Sequence, residues 1–391
     1  MPNYALISSI AEEAKAWRHQ LHAHPELAFE EIKTAQLVAE RLREWGLSVE
    51  TEIAETGVVG VLSKGEGPTI GLRADMDALA IQEQTNLSYA SKIDGKMHAC
   101  GHDGHTAMLL GAAKYLASKG EYSGTVVFVF QPAEELRGGA KAMIDAGLFK
   151  RYPVDAIYGL HNWPSLEPGR IAVRAGAVMA ANDEFHIDVQ GRSCHAAMPH
   201  QGADPVVAAS QIVLALQTIV SRNTDPSQAV ALSVTTIRGG EAINVVPDTV
   251  TLSGCLRSCE EDARNLACSK LETIARQTAE AFGCSCDIRV IKGYPATVNS
   301  DAEAVIAADI ARELPNALEP VTSYDPSMGS EDFAYYLLQR PGAYAWIGNG
   351  SAEDGKSLHN SHYDFNDSII ATGVTYWVNL VEYCLAAKAS P

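Results

Sequence analysis

The sequence has no run of about 18 consecutive apolar residues, so no segment is expected to span a bilayer as a helix. Its start has nothing of a secretory leader, because Glu12, Glu13, Lys15 and Arg18 interrupt the first amphipathic stretch. The eight cysteines stand mostly at unrelated spacings in a long chain, which excludes a disulfide framework and makes a reducing cytoplasm the expected compartment. A basic stripe is missing too. With 48 Asp and Glu against 30 Lys and Arg, the formal net charge is -18, and neither nucleic acid nor an anionic membrane is an expected partner. Disorder-type bias, internal repeats and low-complexity tracts are also lacking.

What is present is an ordinary globular composition, 47% hydrophobic and 20% charged. A length of 391 residues exceeds what one core usually serves, so two domains are expected. Residues 6–45 read as largely helical with a break at Pro25. Short strand-like apolar runs follow at 58–62, 69–74, 125–130 and 156–160, with helical stretches at 106–119 and 138–146 between the later ones. That alternation predicts an α/β fold with a mostly parallel sheet covered on both faces. The rhythm changes at Glu184: strand 185–189, helix 205–222, strands 229–237 and 249–257, helix 260–282, strand 286–290. This βαββαβ order is the ferredoxin-like arrangement. After Tyr294 the earlier mixture returns, strand-like at 343–348 and helical at 369–387. The expected organisation is therefore a larger α/β domain, residues 1–183 and 295–391, with a small domain, residues 184–294, inserted into it.

Candidate chemistry concentrates in Cys100-Gly101-His102-Asp103-Gly104-His105. In an extended segment Cys100 and His102 face the same way, and thiolate and imidazole both suit zinc-like divalent ions. Taken alone the pair is weak evidence, and a nucleophilic cysteine with a histidine base is the chemical alternative. Other acids and histidines stand where strands end: Asp75-Met76-Asp77, Gln131-Pro132-Ala133-Glu134-Glu135, and His161. In an open α/β sheet such carboxyl ends converge on one crevice. Adjacent Glu134 and Glu135 suit a division of labour, one carboxylate to a metal and the other to the proton of a water acidified toward pKa about 7. In the stretch from Leu358 to Asp367, His359 or His362 could be a further ligand, and the residues alone do not choose. In the inserted domain His195, Asn244 and Arg257 are polar groups among apolar strands. A buried Arg257 would want an anion such as a substrate carboxylate, although an ion-paired arginine is the plainer alternative.

As a set these motifs make the chain resemble the metallo-amidohydrolase family of hippurate hydrolases, N-acyl-amino acid amidohydrolases (aminoacylases) and plant indole-acetyl-amino-acid hydrolases. The resemblance runs nearly end to end. It also rests on Leu21-His22-Ala23-His24-Pro25-Glu26-Leu27, Leu72-Arg73-Ala74-Asp75-Met76-Asp77, His195-Ala196-Ala197-Met198-Pro199-His200 and Met328-Gly329-Ser330-Glu331-Asp332-Phe333. It implies a metallopeptidase-like catalytic domain carrying an inserted lid. It implies two divalent metal ions, zinc first with manganese, cobalt or nickel as alternatives, on Cys100, His102, Glu135, His161 and His359. Glu134 takes the role of base, and Asp77, with Asp75 beside it, orients the metal-binding groups. His195 would help bind the scissile carbonyl, in dimeric relatives from the partner subunit, while Asn244 and Arg257 would hold the substrate's carboxylate or carbonyl. The expected activity is hydrolysis of N-acyl-amino acids by a homodimer or higher homo-oligomer; a dipeptidase or carboxypeptidase of the same group is the alternative. Departures are few: Ala80 where proline is frequent, Ser193-Cys194 before His195, and Cys255-Leu256 before Arg257.

Overall fold

A computed structural model describes residues 2–386. It divides into two compact units, Met1–Gly176 with Val298–Asp325 and Asp332–Pro391, and Ala177–Thr297 with Pro326–Glu331.

The first unit is built on a seven-stranded sheet in the order Ser48–Ile53, Gly57–Lys64, Gly124–Gln131, Thr69–Asp75, Ala156–Pro164, Gly342–Gly350, Ile171–Ala172. The four strands from Gly124–Gln131 to Gly342–Gly350 are parallel. Their runs of Val, Ile, Phe and Leu are buried along almost the whole length, as strands covered on both faces require. The sheet is mixed rather than simply parallel, because Gly57–Lys64, Ser48–Ile53 and Ile171–Ala172 join antiparallel at its two edges. The outermost long strand, Ser-Val-Glu-Thr-Glu-Ile, buries only Ile53, so no hydrophobic pattern announced it. Helices Tyr4–His22, His102–Lys119 and Ile370–Cys384 pack on one another, and Met108, Leu109, Trp377 and Val378 sit in the core they form with the sheet. The helix expected over 369–387 is this last one; its final expected residue, Ala387, lies outside the described residues.

The second unit is a four-stranded antiparallel sheet, Val230–Arg238, Thr249–Ser258, Ala181–Gln190, Ser285–Lys292, with helices Pro205–Thr218 and Glu261–Ala281 packed on it. Alternate residues of Ala181–Gln190 are buried, and Phe185, Ile187 and Val189 meet Ala208, Ile212, Leu216 and Leu271 in a separate core. Asp204 caps the first helix, accepting from the Val206 and Val207 amides, with Pro205 at its first turn. By length and composition Pro205–Asn223 could cross a bilayer, with a mean hydropathy of 1.3. One face, Ala208, Ala209, Ile212, Leu216 and Ile219, belongs to the core of this unit, while Val206, Val207, Leu214 and Val220 are exposed on the other. Asp183 and Arg264, both buried, form a two-point ion pair (2.8 and 2.5 Å) that fixes the long helix to the central strand.

Candidate metal centre

The parallel strands deliver their carboxyl ends to one place. Thr69–Asp75 ends in Asp75 and leads to Asp77; Gly124–Gln131 leads to Glu134 and Glu135; Ala156–Pro164 carries His161. Cys100 and His102 arrive differently from the extended pair expected from their spacing. Gly101 takes a left-handed turn (φ 90°), and His102 opens the helix. A Cβ on Gly101 would lie 2.3 Å from the Asn162 amide nitrogen, so only glycine fits there.

The five expected ligands are brought together. Cys100 Sγ lies 3.4 Å from His161 Nε2, His102 Nε2 lies 3.8 Å from Glu135 Oε1, and His359 Nε2 lies 3.3 Å from the same oxygen. Cys100, Glu135 and His359 offer donor atoms within 4.8 Å of one another, as do His102, Glu134 and Glu135. His362, the other histidine of its loop, is exposed and turned to Ser361. His102 Nδ1 faces Asp77 Oδ1 at 3.2 Å, which leaves Nε2 for the cluster, and Asp77 Oδ2 accepts the Glu135 amide at 3.0 Å. Asp77 thus bridges two ligand candidates, an arrangement typical of metal sites.

Charge in the cluster is unbalanced. Burial by itself would depress His102, but Asp75, Asp77 and Glu135 outweigh it and raise its pKa to about 10. Burial, with the charges of Glu135, Glu134 and Asp75, pushes the Cys100 thiol well above its ordinary range. Burial and the neighbouring histidines keep His161 well below its ordinary value, hence neutral and able to donate a lone pair. His102 Nε2 and Glu135 Oε1 are buried without a hydrogen-bond partner among the described residues. A thiol, three imidazoles and a carboxylate with unspent donor atoms and excess negative charge fit divalent cations of the zinc type.

Several groups around this site escaped the sequence reading. His105 Nδ1 donates to Asp75 Oδ1 (2.6 Å) while Nε2 accepts the Asn162 amide (2.8 Å), so both its nitrogens are engaged and it is support rather than a ligand. Its place in the Cys100–His105 motif was the available signal. Arg73, buried, donates to Asp75 (2.7 Å), Gln131 (2.8 Å) and Asp332 (3.1 Å), and Asp332 in turn accepts from Gln131 and the Ala140 amide. Tyr363 donates to Asn162 Oδ1 at 2.7 Å.

In the second unit, His195 and Val245 are register partners in a two-stranded ladder, and the Ala196 amide donates to Asn244 O at 3.0 Å. His195 is exposed; its Nδ1 accepts from the Ala197 amide. Arg257 donates to Ser330 Oγ at 3.1 Å, and no carboxylate pairs with it among the described residues.

Residues 71–383 match the profile of peptidase family M20/M25/M40. The chain belongs to this family. Within the M20 group it is 43% identical over 375 residues to a hippurate hydrolase of Campylobacter jejuni, covering 96% of this chain and 97% of that one. It is 40% identical over 351 residues to an N-acetyl-L-cysteine deacetylase of Bacillus subtilis, covering 89% and 83%. A solved Bacillus subtilis protein described as a dinuclear metal binding peptidase of the M20 family superimposes with a TM-score of 0.85 at 33% identity, covering 97% of this chain and 99% of that one. The α/β core with its buried donor cluster is thus an M20 metallopeptidase fold, and the M20 relatives named for an activity are amide-bond hydrolases.

Proposed function

We propose that this chain is a metal-dependent amidohydrolase that cleaves N-acyl-amino acids to a carboxylate and a free amino acid. The observation that carries the proposal is the gathering of Cys100, His102, Glu135, His161 and His359, with Glu134 beside them as an acid outside the expected ligand set. Two divalent ions, zinc first and manganese, cobalt or nickel as alternatives, would supply Lewis acidity and an acidified water there. Those five residues would hold them. Glu134, buried in a low-dielectric surround, takes the proton from the attacking water and returns it to the leaving amine. Asp77 holds the His102 ring so that Nε2 points inward. His195 is assigned the scissile carbonyl oxygen, whose developing charge it would stabilise, and Asn244 and Arg257 the substrate's carboxylate or carbonyl. Arg257 suits that role because it donates to the Ser330 hydroxyl and no carboxylate pairs with it among the described residues. A homodimer in a reducing cytoplasm completes the proposal, since Cys100 must stay a free thiol to serve.

The relatives named for hippurate and for N-acetyl-L-cysteine support the acyl-amino acid reading over a dipeptidase. The test is a panel of N-acyl-amino acids and dipeptides, run on metal-reconstituted wild type and Glu134→Gln. Wild type turns over the acyl-amino acids; the variant binds metal but does not. Turnover by Glu134→Gln at the wild-type rate refutes the mechanism, and preference for dipeptides replaces the substrate class.

A further inference from the structure

Glu31 lies 102 residues before Ala133 in sequence, just ahead of helix Ile32–Glu44, and its side chain is fully buried. It occupies the N-cap position of that helix, but its side chain makes no capping hydrogen bond. A buried carboxylate is costly unless its oxygens are satisfied, so their partners show what it is for. Oε1 accepts the Ala133 amide at 2.8 Å, and Oε2 accepts the Thr56 hydroxyl at 2.5 Å. No cation pairs with it among the described residues, and burial together with the charge of Asp77 lifts its pKa to about 7.

Ala133 is the residue that needs holding. It is a buried non-glycine in the left-handed region (φ 54°, ψ 41°), and Glu134 and Glu135 follow it directly. Such a conformation persists only where the surroundings over-determine it. Three contacts do so: Glu31 on the Ala133 amide, the Gly139 amide on the Ala133 carbonyl (3.0 Å), and Asp77 on the Glu135 amide (3.0 Å). Gly139 approaches so closely that a Cβ there would overlap the Pro132 carbonyl oxygen. Of the three contacts, the one from Glu31 is on the peptide that enters the turn; the Pro132 carbonyl of the same peptide accepts a longer hydrogen bond from Gln131 Nε2 (3.3 Å).

We infer that Glu31 is a positioning residue: its carboxylate anchors the Ala133 peptide and so sets where the neighbouring Glu134 and Glu135 side chains point. The inference rests on the roles proposed above for those two glutamates.

The test uses the full chain carrying Glu31→Ala or Glu31→Gln. Gln keeps an oxygen for the Ala133 amide and offers its own N–H to Thr56, so it should rescue. Glu31→Ala is expected to lose about tenfold or more in kcat with KM little changed, and about tenfold in zinc affinity of one site, titrated calorimetrically into metal-free protein. Wild-type-like kcat and zinc affinity in folded Glu31→Ala overturn the inference, as does a fall in Glu31→Gln equal to that of Glu31→Ala. Should Glu31→Ala fail to fold, Thr56→Val removes only the second anchor and is expected to lower kcat about threefold at near-native melting temperature; unchanged kcat and zinc affinity there overturn it. A wild-type chain inactive on every amide would sink the amidohydrolase reading alone, because the zinc titration still judges the role of Glu31.

Discussion

Replacing Asp77 with alanine removes two contacts at once from a group only 1% exposed. Oδ1 no longer orients the His102 ring from 3.2 Å, and Oδ2 no longer accepts the Glu135 amide at 3.0 Å. Losing an orienting partner of a metal ligand costs about 10- to 100-fold in affinity, or about 1.4–2.8 kcal/mol. Leaving the Glu135 N–H unpaired in the interior costs about 1–3 kcal/mol. The two losses share one network and do not simply add. The first loss is expected as zinc binding about 10- to 100-fold weaker, the second as about 1–3 kcal/mol less stability of the metal-free protein. Competition between metal-free protein and a chromophoric chelator reads the first directly, with thermal melting alongside to show that the variant is folded. Asp77→Asn should fall between, because its amide can accept one of the two hydrogen bonds but meets the other donor with an N–H. A folded Asp77→Ala protein that binds zinc within about threefold of wild type would refute the bridging role.

Glu134→Gln should lower kcat by about 10²- to 10⁴-fold, the usual share of a general base, with zinc stoichiometry by elemental analysis unchanged. A chelator should abolish turnover reversibly while iodoacetamide on the metal-loaded protein leaves it intact; the opposite pattern would mark a cysteine hydrolase. Asp183→Ala strands the buried Arg264 guanidinium and should cost about 3–5 kcal/mol in urea unfolding of the second unit, without altering zinc affinity. His22 gives a pH signature. Burial opposes its charge, but Asp103 and Glu83 outweigh burial and raise its pKa to about 9. A folded-state value above the unfolded one means stability fully present below pH 6.5 and lost as pH rises through 9. Wild-type melting temperature should therefore fall across that interval more than that of His22→Gln.

Hydrophobic period and strand-end position made the sheet core legible: the runs ending at Asp75, Gln131 and His161 are strands that deliver their acids and histidine to one region. Direction was not legible. A strand buried on both faces has the same composition whichever way it runs, so the antiparallel entry of Gly57–Lys64 left no trace. The Cys100–His102 pair was read as extended, whereas Gly101 is left-handed and His102 starts a helix, and each side chain separately comes near Glu135. Choosing His359 over His362 came from resemblance, not from the residues; in the structure His359 Nε2 lies 3.3 Å from Glu135 Oε1. Glu31, Arg73 and Asp332 were invisible as support because the contacts that reveal it, Arg73 with Gln131 and with Asp332 and Glu31 with Ala133, join residues 58, 259 and 102 apart in sequence. An acid before a helix reads as a surface cap until its burial is known.

The most direct test of the account is anomalous diffraction from crystals of the zinc-loaded protein, collected on both sides of the zinc edge. The account predicts two ions per chain, bound among Cys100, His102, Glu135, His161 and His359, with Glu134 uncoordinated and facing the space beside them. No ordered ion among these residues, or ions held elsewhere with this cluster empty, would contradict it.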